Sequence, residues 1–346
     1  MMLTIVPAAF AVNIGAGVNP GISTENYEPQ VFMCDNRIVI DDATEPGRLS
    51  FDGEELVERT QNYAFEGEQI QWEVLVLDKN GVQKITDVFA SVGNVQGGGN
   101  PIEVNCIERN ISVLGSLRNG TMQYYTCTLT IETPLSMYGE RWITVEAVDL
   151  DGLSGTMDEN EYWFLNPVIA LDIKGTLDFD SIRPGTHSYS KTLTIGNEAD
   201  EDSGVQLDMF ISGTDFYDLA HSGAACPDTN QLKLGDGQSD CDPDDVFCYF
   251  ATHGAYSSQL DNRRDVEGYV GINYGIGFND PNPFYGSFNG DDSGYEIIQG
   301  LQVGPYFPGN VLSPGAEMAL TFRLNLPEPC NGNFDSGSIF FWGEAI

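Results

Sequence analysis

An aspartate-rich loop at residues 235–245 carries the densest metal-binding chemistry in this sequence. Its glycines favour tight turns, and five carboxylates fall within ten residues: Asp236, Asp240, Asp242, Asp244 and Asp245. Hard cations such as Ca²⁺ bind oxygen ligands of this kind. The loop is not an EF-hand, because Ala251 stands where a loop starting at Asp240 would require glutamate. The pattern predicts a Ca²⁺ site, and a solvated acidic loop is the alternative.

A second acidic group surrounds a predicted strand turn. It contains Asp149, Asp151 and Asp158, followed by Glu159 and Glu161. A Ca²⁺ ion bound here would stiffen the angle between two domains, because the group lies near the expected domain boundary. Ordinary Asp-Gly turn chemistry explains the same residues without a metal.

Seven cysteines without a CxxC pair indicate an oxidising, extracellular compartment. The pairs that we expect are Cys106–Cys127, Cys241–Cys248 and Cys226–Cys330. Cys34 is then left over, and it is an alternative partner for either cysteine of the first pair. Sequence alone does not fix the connectivity, so the pairing is a hypothesis.

Two glycosylation sequons, at Asn110 and Asn119, lie in the segment between Cys106 and Cys127. Asn-X-Ser/Thr is the acceptor of N-linked glycans in secreted proteins. Two sequons are no more than chance supplies, but their shared position predicts an accessible loop. Both asparagines are therefore candidate glycosylation sites.

Aromatic side chains recur in a glycine-rich stretch at residues 249–308, which predicts long loops between short strands. The set comprises Tyr256, Tyr269, Tyr274, Phe284, Tyr285, Phe288 and Tyr306. Exposed rings of this kind bind sugars or anchor subunit contacts. The alternative is that each ring holds its own loop in place.

No motif in the sequence assembles a catalytic centre. The three histidines, at positions 187, 221 and 253, lie near no nucleophile motif, and GxSxG, HExxH and phosphate-binding loops are absent from the sequence. Paired carboxylates for glycoside hydrolysis stay open, because such pairs form in space and acids are plentiful. We therefore expect a protein that is not an enzyme.

The charge of the chain excludes one class of partner. Its 346 residues contain 52 Asp and Glu against 15 Lys and Arg, a net charge of −37. Nucleic acid is excluded as a natural partner, since phosphate binding needs a cationic surface. Copies of so acidic a chain repel each other unless cations intervene. Three roles stay open for the carboxylates: they bind divalent ions, they hydrate the surface in salt, or they simply keep the protein soluble.

The first eleven residues are apolar and end in Ala9-Phe10-Ala11, the small-X-small pattern that precedes signal cleavage. Residues 1–11 are thus predicted to be a signal-peptide remnant. The alternative is a retained strand that completes the sheet of a neighbouring subunit. No apolar run in the sequence approaches the ~20 residues that span a bilayer.

Period-2 alternation of apolar residues recurs along the chain and predicts half-buried β-strands. The segments that show it are residues 69–78, 126–133, 205–212 and 317–326. Many such strands separated by turn residues indicate an all-β protein made of β-sandwiches. We expect one sandwich at 12–166 and a second at 167–346 with a loop insertion at 220–310. Asn166-Pro167 marks the boundary, because proline removes a ladder donor there.

The first half resembles immunoglobulin-like surface domains. The run from Val74 to Gly81, followed by residues 85–92, resembles their B–C hairpin, and residues 142–153 resemble their penultimate strand and its turn. In the second half, Ile182-Arg183-Pro184-Gly185 and the strand at 193–197 resemble extracellular β-sandwich repeats. The whole chain is similar to uncharacterised S-layer-like surface proteins of small-genome archaea, which implies an envelope role.

These features predict an extracellular, cell-surface structural subunit of a layer or filament. It would assemble by self-association through protein contacts and divalent cations, with Ca²⁺ as the expected ion. The first alternative is an adhesin that binds glycans or a protein partner through the aromatic loops. The lesser alternative is a secreted glycoside hydrolase.

Overall fold

A computed structural model describes most of the chain. The described residues are 17–18, 20–40, 57–109, 120–132, 135–158, 162–179, 181–219, 226, 231–234, 241, 246–258, 268–272, 296–299, 303 and 306–346. They form 22 β-strands and two short 3₁₀ turns at Val82–Lys84 and Leu135–Met137, with no α-helix among them. The expected all-β class is confirmed. Within the same residues, no helix has the length and apolar character to cross a membrane.

The first half contains ten strands, nine of which follow one continuous hydrogen-bonded path. They are β1 (Gln30–Ile40), β2 (Val57–Arg59), β3 (Tyr63–Ala64), β4 (Gln69–Leu77), β5 (Ile85–Gly93), β6 (Ile102–Arg109), β7 (Met122–Thr130), β8 (Gly139–Asp149), β9 (Ser154–Asp158) and β10 (Trp163–Leu165). The order is β2-β1-β4-β7-β6-β5-β8-β10-β3, and β9 pairs with the free side of β8.

The path folds back on itself at β6, which changes partner at its middle. Residues Ile102 to Asn105 pair with β5, whereas Cys106 to Arg109 pair with β7. The strands β1, β4, β7 and β6 thus occupy the places of A, B, E and D in an immunoglobulin sandwich, and β5, β8 and β9 those of C, F and G. The expected β4–β5 hairpin is wrong: β4 pairs with β1 and β7, while β5 pairs with β6 and β8.

Buried and partly exposed residues alternate along β4, as expected for a strand with one face in the interior of the sandwich. Ile70, Trp72, Val74 and Val76 are at most 1% exposed, and the residues between them are partly exposed. A strand with one buried face must show this period of two. Residues 126–131 follow the same rule, since Cys127, Leu129 and Ile131 are buried and the threonines between them are not.

The second half contains twelve described strands. They are β11 (Leu171–Lys174), β12 (His187–Tyr189), β13 (Leu193–Asn197), β14 (Leu207–Gly213), β15 (Phe216–Tyr217), β16 (Gln231–Leu232), β17 (Phe247–His253), β18 (Tyr256–Ser257), β19 (Val270–Gly271), β20 (Val311–Leu312), β21 (Glu317–Asn325) and β22 (Ile339–Ala345). One sheet has the order β11-β13-β21-β17-β18, with β12 on β21 and β19 on β17. A second has the order β20-β14-β22, and β15 pairs with β16.

The sequence pattern predicts β21 correctly and β14 wrongly. In β21, Met318, Leu320 and Phe322 are fully buried. In β14, every residue is buried, so the prediction of a half-buried strand fails. The reason is that its second face is also covered, because Asp208 bonds to Asn310 and Phe210 pairs with Glu296.

The chain crosses between the halves at Asn166, which is held in a left-handed conformation with φ of 51°. Its backbone N–H donates to Ala64 O at 2.8 Å, and its side-chain amide donates to Glu132 O and Met137 O. Asparagine tolerates this conformation better than most residues. The expected boundary therefore falls on an ordered, well-bonded turn.

The buried side chains form two large clusters that divide near this turn. One cluster draws on residues 31–165, and the other on residues 193–330 together with Tyr63 and Phe164. The Tyr63 hydroxyl donates to the carbonyl of Ile346, and burial raises the pKa of Tyr63 to about 12. These contacts join the two halves. The division into independently folding domains stays a prediction.

Three disulfides link Cys106 to Cys127, Cys226 to Cys330 and Cys241 to Cys248, the pairs expected from the sequence. The first joins β6 to β7 at the residue where β6 changes partner. The side chain of Cys34 lies outside the described part. Disulfides of this number are typical of an oxidising compartment.

The stability lost on removing a disulfide should follow the length of the loop that it closes. Replacing Cys226 and Cys330, 104 residues apart, by serine should lower the free energy of unfolding by about 4.7 kcal/mol. The same change at Cys106 and Cys127, 21 residues apart, should cost about 3 kcal/mol. Urea unfolding of both double variants measures the two losses, and the reverse order would contradict this account.

Candidate functional site

Much of the predicted chemistry lies outside the described residues. This applies to the side chain of Asp158 and to Asp236, Asp240, Asp242, Asp244, Asp245, Asn110, Asn119, Tyr274, Phe284, Tyr285 and Phe288. The Ca²⁺ loop and the glycosylation sites therefore stay predictions.

Three of the predicted binding aromatics are described, and none of them is fully exposed. Tyr269 is 9% exposed and packs against Tyr189, Phe250 and the Cys241–Cys248 disulfide. Tyr256 and Tyr306 are half-buried. Tyr269 thus holds its own loop in place, as in the alternative interpretation of these rings.

Two similar turns lie side by side at one end of the first sandwich. Asp78-Lys79-Asn80-Gly81 follows β4, and Asp149-Leu150-Asp151-Gly152 begins at the last residue of β8. In each turn the first aspartate accepts the N–H of the residue two positions later, and a glycine with positive φ closes the turn. We call residues 78–81 and 149–152 the turn pole. We did not single out the Asp78 turn from the sequence, although the Asp-X-Asn/Asp-Gly pattern occurs there in both turns.

The two leading aspartates of the turn pole are buried, and each has one oxygen without a hydrogen-bond partner among the described atoms. Asp78 is 0% and Asp149 3% exposed, and the oxygen in question is Oδ2 in both. The Lys84 ammonium lies 2.7 Å from Asp151 Oδ2. This hydrogen bond raises the pKa of Lys84, and the charges of Asp149 and Asp78 add to the effect. Lys84 is thus the counter-ion of the turn pole.

A second lysine has the same role in the second half. The ammonium of Lys174 lies 2.7 Å from Glu317 and 3.2 Å from both Glu198 and Asp172. These hydrogen bonds, led by the one to Glu317, raise its pKa. In the described part of the chain, no group of three or more His, Cys, Asp or Glu side chains is arranged to hold a metal ion.

The segment before β1 crosses the turn pole. The Asn26 amide donates to Asp151 Oδ2 at 2.8 Å, and the Tyr27 N–H donates to Asn80 Oδ1 at 2.8 Å. The Lys79 ammonium lies 4.6 Å from the centre of the Tyr27 ring. Further towards the N-terminus, Val18 and Ile22 are 88% and 83% exposed. The chain therefore leaves the body at this pole.

A buried carboxylate pair lies inside the second half. Asp208 accepts a hydrogen bond from the Asn310 amide at 2.5 Å, while Asn310 Oδ1 accepts the N–H groups of Ile297 and Ile298. Burial raises the pKa of Asp208 to about 6. Burial, with the charge of Asp208, raises the pKa of Glu296 to about 8. Asp208 is only 3% exposed.

An apolar groove opens at one end of the second half, with a volume of about 630 Å³. Its walls are aliphatic and aromatic, and Ser181, Asn331 and Asn333 supply polar groups. The apolar lining residues are Leu177, Phe179, Ile182, Pro184, Phe216, Leu232, Phe247, Leu324, Leu326 and Phe334. The rings of Phe216 and Phe247 stack at 4.7 Å, and Phe179 meets Phe247 edge-on at 5.6 Å. Sequence reasoning missed this groove, because its residues come from segments far apart in the chain.

Comparison with known proteins identifies no family. No family model matches the chain, and no curated protein matches it. Solved structures that align with most of it include the following three. A DUF4466 family protein from Parabacteroides merdae is 8% identical, with a TM-score of 0.21, over 86% of this chain and 99% of its own.

The other two structures are equally distant. One named BspA_C_WT is 9% identical, with a TM-score of 0.26, over 90% and 96% of the two chains. A candidate secreted protein from Eubacterium rectale is 8% identical, with a TM-score of 0.24, over 94% and 95%. Likenesses this weak carry no argument about function, and the all-β class rests on the strands themselves.

The buried carboxylates should make the protein more stable in mild acid. Because folding raises both pKa values, the folded state binds these protons more tightly than the unfolded state. Their stabilising contribution is complete below about pH 4 and is lost as the pH rises through about 6 for Asp208 and about 8 for Glu296. Urea unfolding between pH 4 and pH 8 should show this decline.

Asp208→Asn should remove the part of the decline that Asp208 causes, on the order of 3 kcal/mol between pH 4 and pH 8. Glu103→Gln removes an equal charge at an exposed position and is the matched control. A pH profile that is the same in Asp208→Asn and in the wild-type protein would contradict the assignment.

Asp149 and Asp151 should differ sharply although they share one turn. Asp149→Ala removes the acceptor of the Asp151 and Leu153 N–H groups, so we expect a loss of about 2 kcal/mol in the free energy of unfolding. Asp151→Ala breaks an exposed ion pair with Lys84 and an exposed hydrogen bond from the Asn26 amide, and it should cost less. Equal losses in urea unfolding would show that the turn does not depend on Asp149.

Proposed function

We propose that this chain is a structural subunit of an extracellular surface layer or filament. The observation that carries the proposal is a disulfide-linked, all-β body with a net charge of −37. Disulfides suit an oxidising compartment, and sandwich modules of this kind bear load or bind neighbours. The sequence resemblance to S-layer-like archaeal surface proteins supports the same role.

The acidic surface sets the conditions under which copies associate. Two acidic clusters among the described residues contain a lysine that neutralises part of their charge, namely Lys84 and Lys174. With 15 basic residues against 52 acidic ones, the chain holds too few cations to repeat this everywhere. Packing two copies brings their carboxylates together, and repulsion within ~8 Å is not screened at physiological salt. Divalent cations between the copies would remove it.

The aspartate-rich loop is the expected place for such a cation. Its five carboxylates carry more negative charge than a nearby lysine in the sequence can neutralise. The disulfide from Cys241 to Cys248 fixes one end of the loop and so reduces the entropy lost on binding. We therefore propose that Ca²⁺ binds there and favours self-association.

Sedimentation of the purified chain tests this function. We expect small species in low salt with excess chelator, and large assemblies after addition of millimolar CaCl₂. NaCl of equal ionic strength should have a weaker effect, because monovalent ions screen but do not bridge. The triple variant Asp240→Asn, Asp242→Asn, Asp244→Asn should need more Ca²⁺ for the same assembly.

The matched control removes the same charge from exposed positions of the first half: Asp87→Asn, Glu103→Gln and Glu108→Gln. It should assemble at the Ca²⁺ concentration that the wild-type protein needs. Assemblies that persist unchanged in excess chelator would contradict the ionic part of the proposal. A monomer under all of these conditions would contradict the structural role itself.

A further inference from the structure

We infer that the apolar groove of the second half receives residues 1–16 of a second copy, so that copies join head to tail. The inference deepens the proposed function and rests on it, because it names the contact through which copies associate. It takes residues 1–11 as retained in the mature protein, which is the alternative to the signal-peptide prediction.

The chemistry of the N-terminal segment fits such a groove. The first 24 residues contain no Asp, Glu, Lys or Arg, although the whole chain contains 52 acidic residues. Leu3, Ile5, Val6 and Phe10 supply apolar side chains. An uncharged apolar segment approaches an acidic neighbour without repulsion and gains by leaving water.

The groove offers the complementary surface. Phe216 and Phe334 are half-buried and line the groove, together with the buried Phe247, Leu324 and Leu326. Asn331 and Asn333 lie at the groove and are exposed, so their amides are available to the backbone of an extended segment. A groove that combines an apolar wall with a few polar groups is the usual form of a peptide site.

Strand pairing shows where the turn pole, from which the N-terminal segment extends, and the groove lie within their halves. In the first half, β10 beside the junction pairs with the start of β8, whereas the turn pole follows the end of β8. In the second half, the first residues of β21 lie near Asn197 on the junction side, and the groove lies beyond its last residues. Each feature thus lies at the end remote from residue 166.

The described residues that lead to the segment are exposed. Val18 and Ile22 are 88% and 83% exposed, so this part of the chain does not pack on its own body. A groove on a second copy can receive the segment without the chain folding back along both of its own halves.

A contact between two different surfaces does not close on itself in a dimer. Each copy would present one segment and one groove, so a third copy adds to the second in the same way. Such heterologous contacts produce open filaments or, if the rotation closes, rings. This geometry matches the proposed filament or layer subunit.

Complementation between two full-length variants tests the inference. Ile5→Asp places a charge in the segment and leaves the groove intact, whereas Phe334→Asp places a charge in the groove and leaves the segment intact. A charge buried without a partner is costly, so each variant alone should associate at least about tenfold more weakly than the wild-type chain. Mixed together, they should form a one-to-one complex and nothing larger.

Two further variants separate this contact from general effects. Ser181→Trp should fill the groove without removing a core side chain, and it should behave as Phe334→Asp does. Val95→Asp adds a charge at an apolar position that is 67% exposed and remote from the groove, and it should assemble like the wild-type chain. Circular dichroism and melting temperature establish that each variant is folded.

The outcomes distinguish this inference from the proposed function. If the wild-type chain assembles and Ile5→Asp and Ser181→Trp assemble equally well, the head-to-tail contact is wrong and the structural role stands. If native material begins after residue 16, the inference is also overturned. If the wild-type chain never assembles, the proposed function fails with it.

Discussion

Repulsion among carboxylates is the constraint on which the rest of this structure depends. A chain with a net charge of −37 is stable only if its interior gains outweigh the self-repulsion of its surface. Buried apolar faces such as that of β4 supply part of this gain, and three disulfides add covalent links. Buried acidic groups are held by hydrogen bonds. Asp149 accepts the Leu153 N–H and so closes a turn, and Asp208 accepts the Asn310 amide.

The same constraint underlies the proposal for how copies of the chain would associate. Surfaces that carry carboxylates repel a second copy, whereas the uncharged N-terminal segment and the apolar groove do not. Lys84 and Lys174 show how the described residues neutralise acidic clusters from within. With 15 basic residues against 52 acidic ones, most carboxylates have no basic partner, and in our proposal a divalent cation takes that place. Association and charge neutralisation are therefore two parts of one account.

Sequence reasoning succeeded where one physical pattern determines the result. The alternation in β4 and β21 predicted their buried residues, because each has one face in the core. It failed for β14, whose second face is covered by Asn310 and residues 296–299, since nothing local encodes a distant cover. The β4–β5 hairpin was wrong because consecutive strands in a sandwich often enter opposite sheets. The groove was missed because its lining residues come from segments far apart in the chain and meet only in the folded structure.

Imaging of the native cell envelope by electron cryotomography, with subtomogram averaging, tests the central claim most directly. The account predicts a repeating array in which the second half of each copy contacts the N-terminal end of the next. Native protein found as isolated copies inside the cell would contradict it.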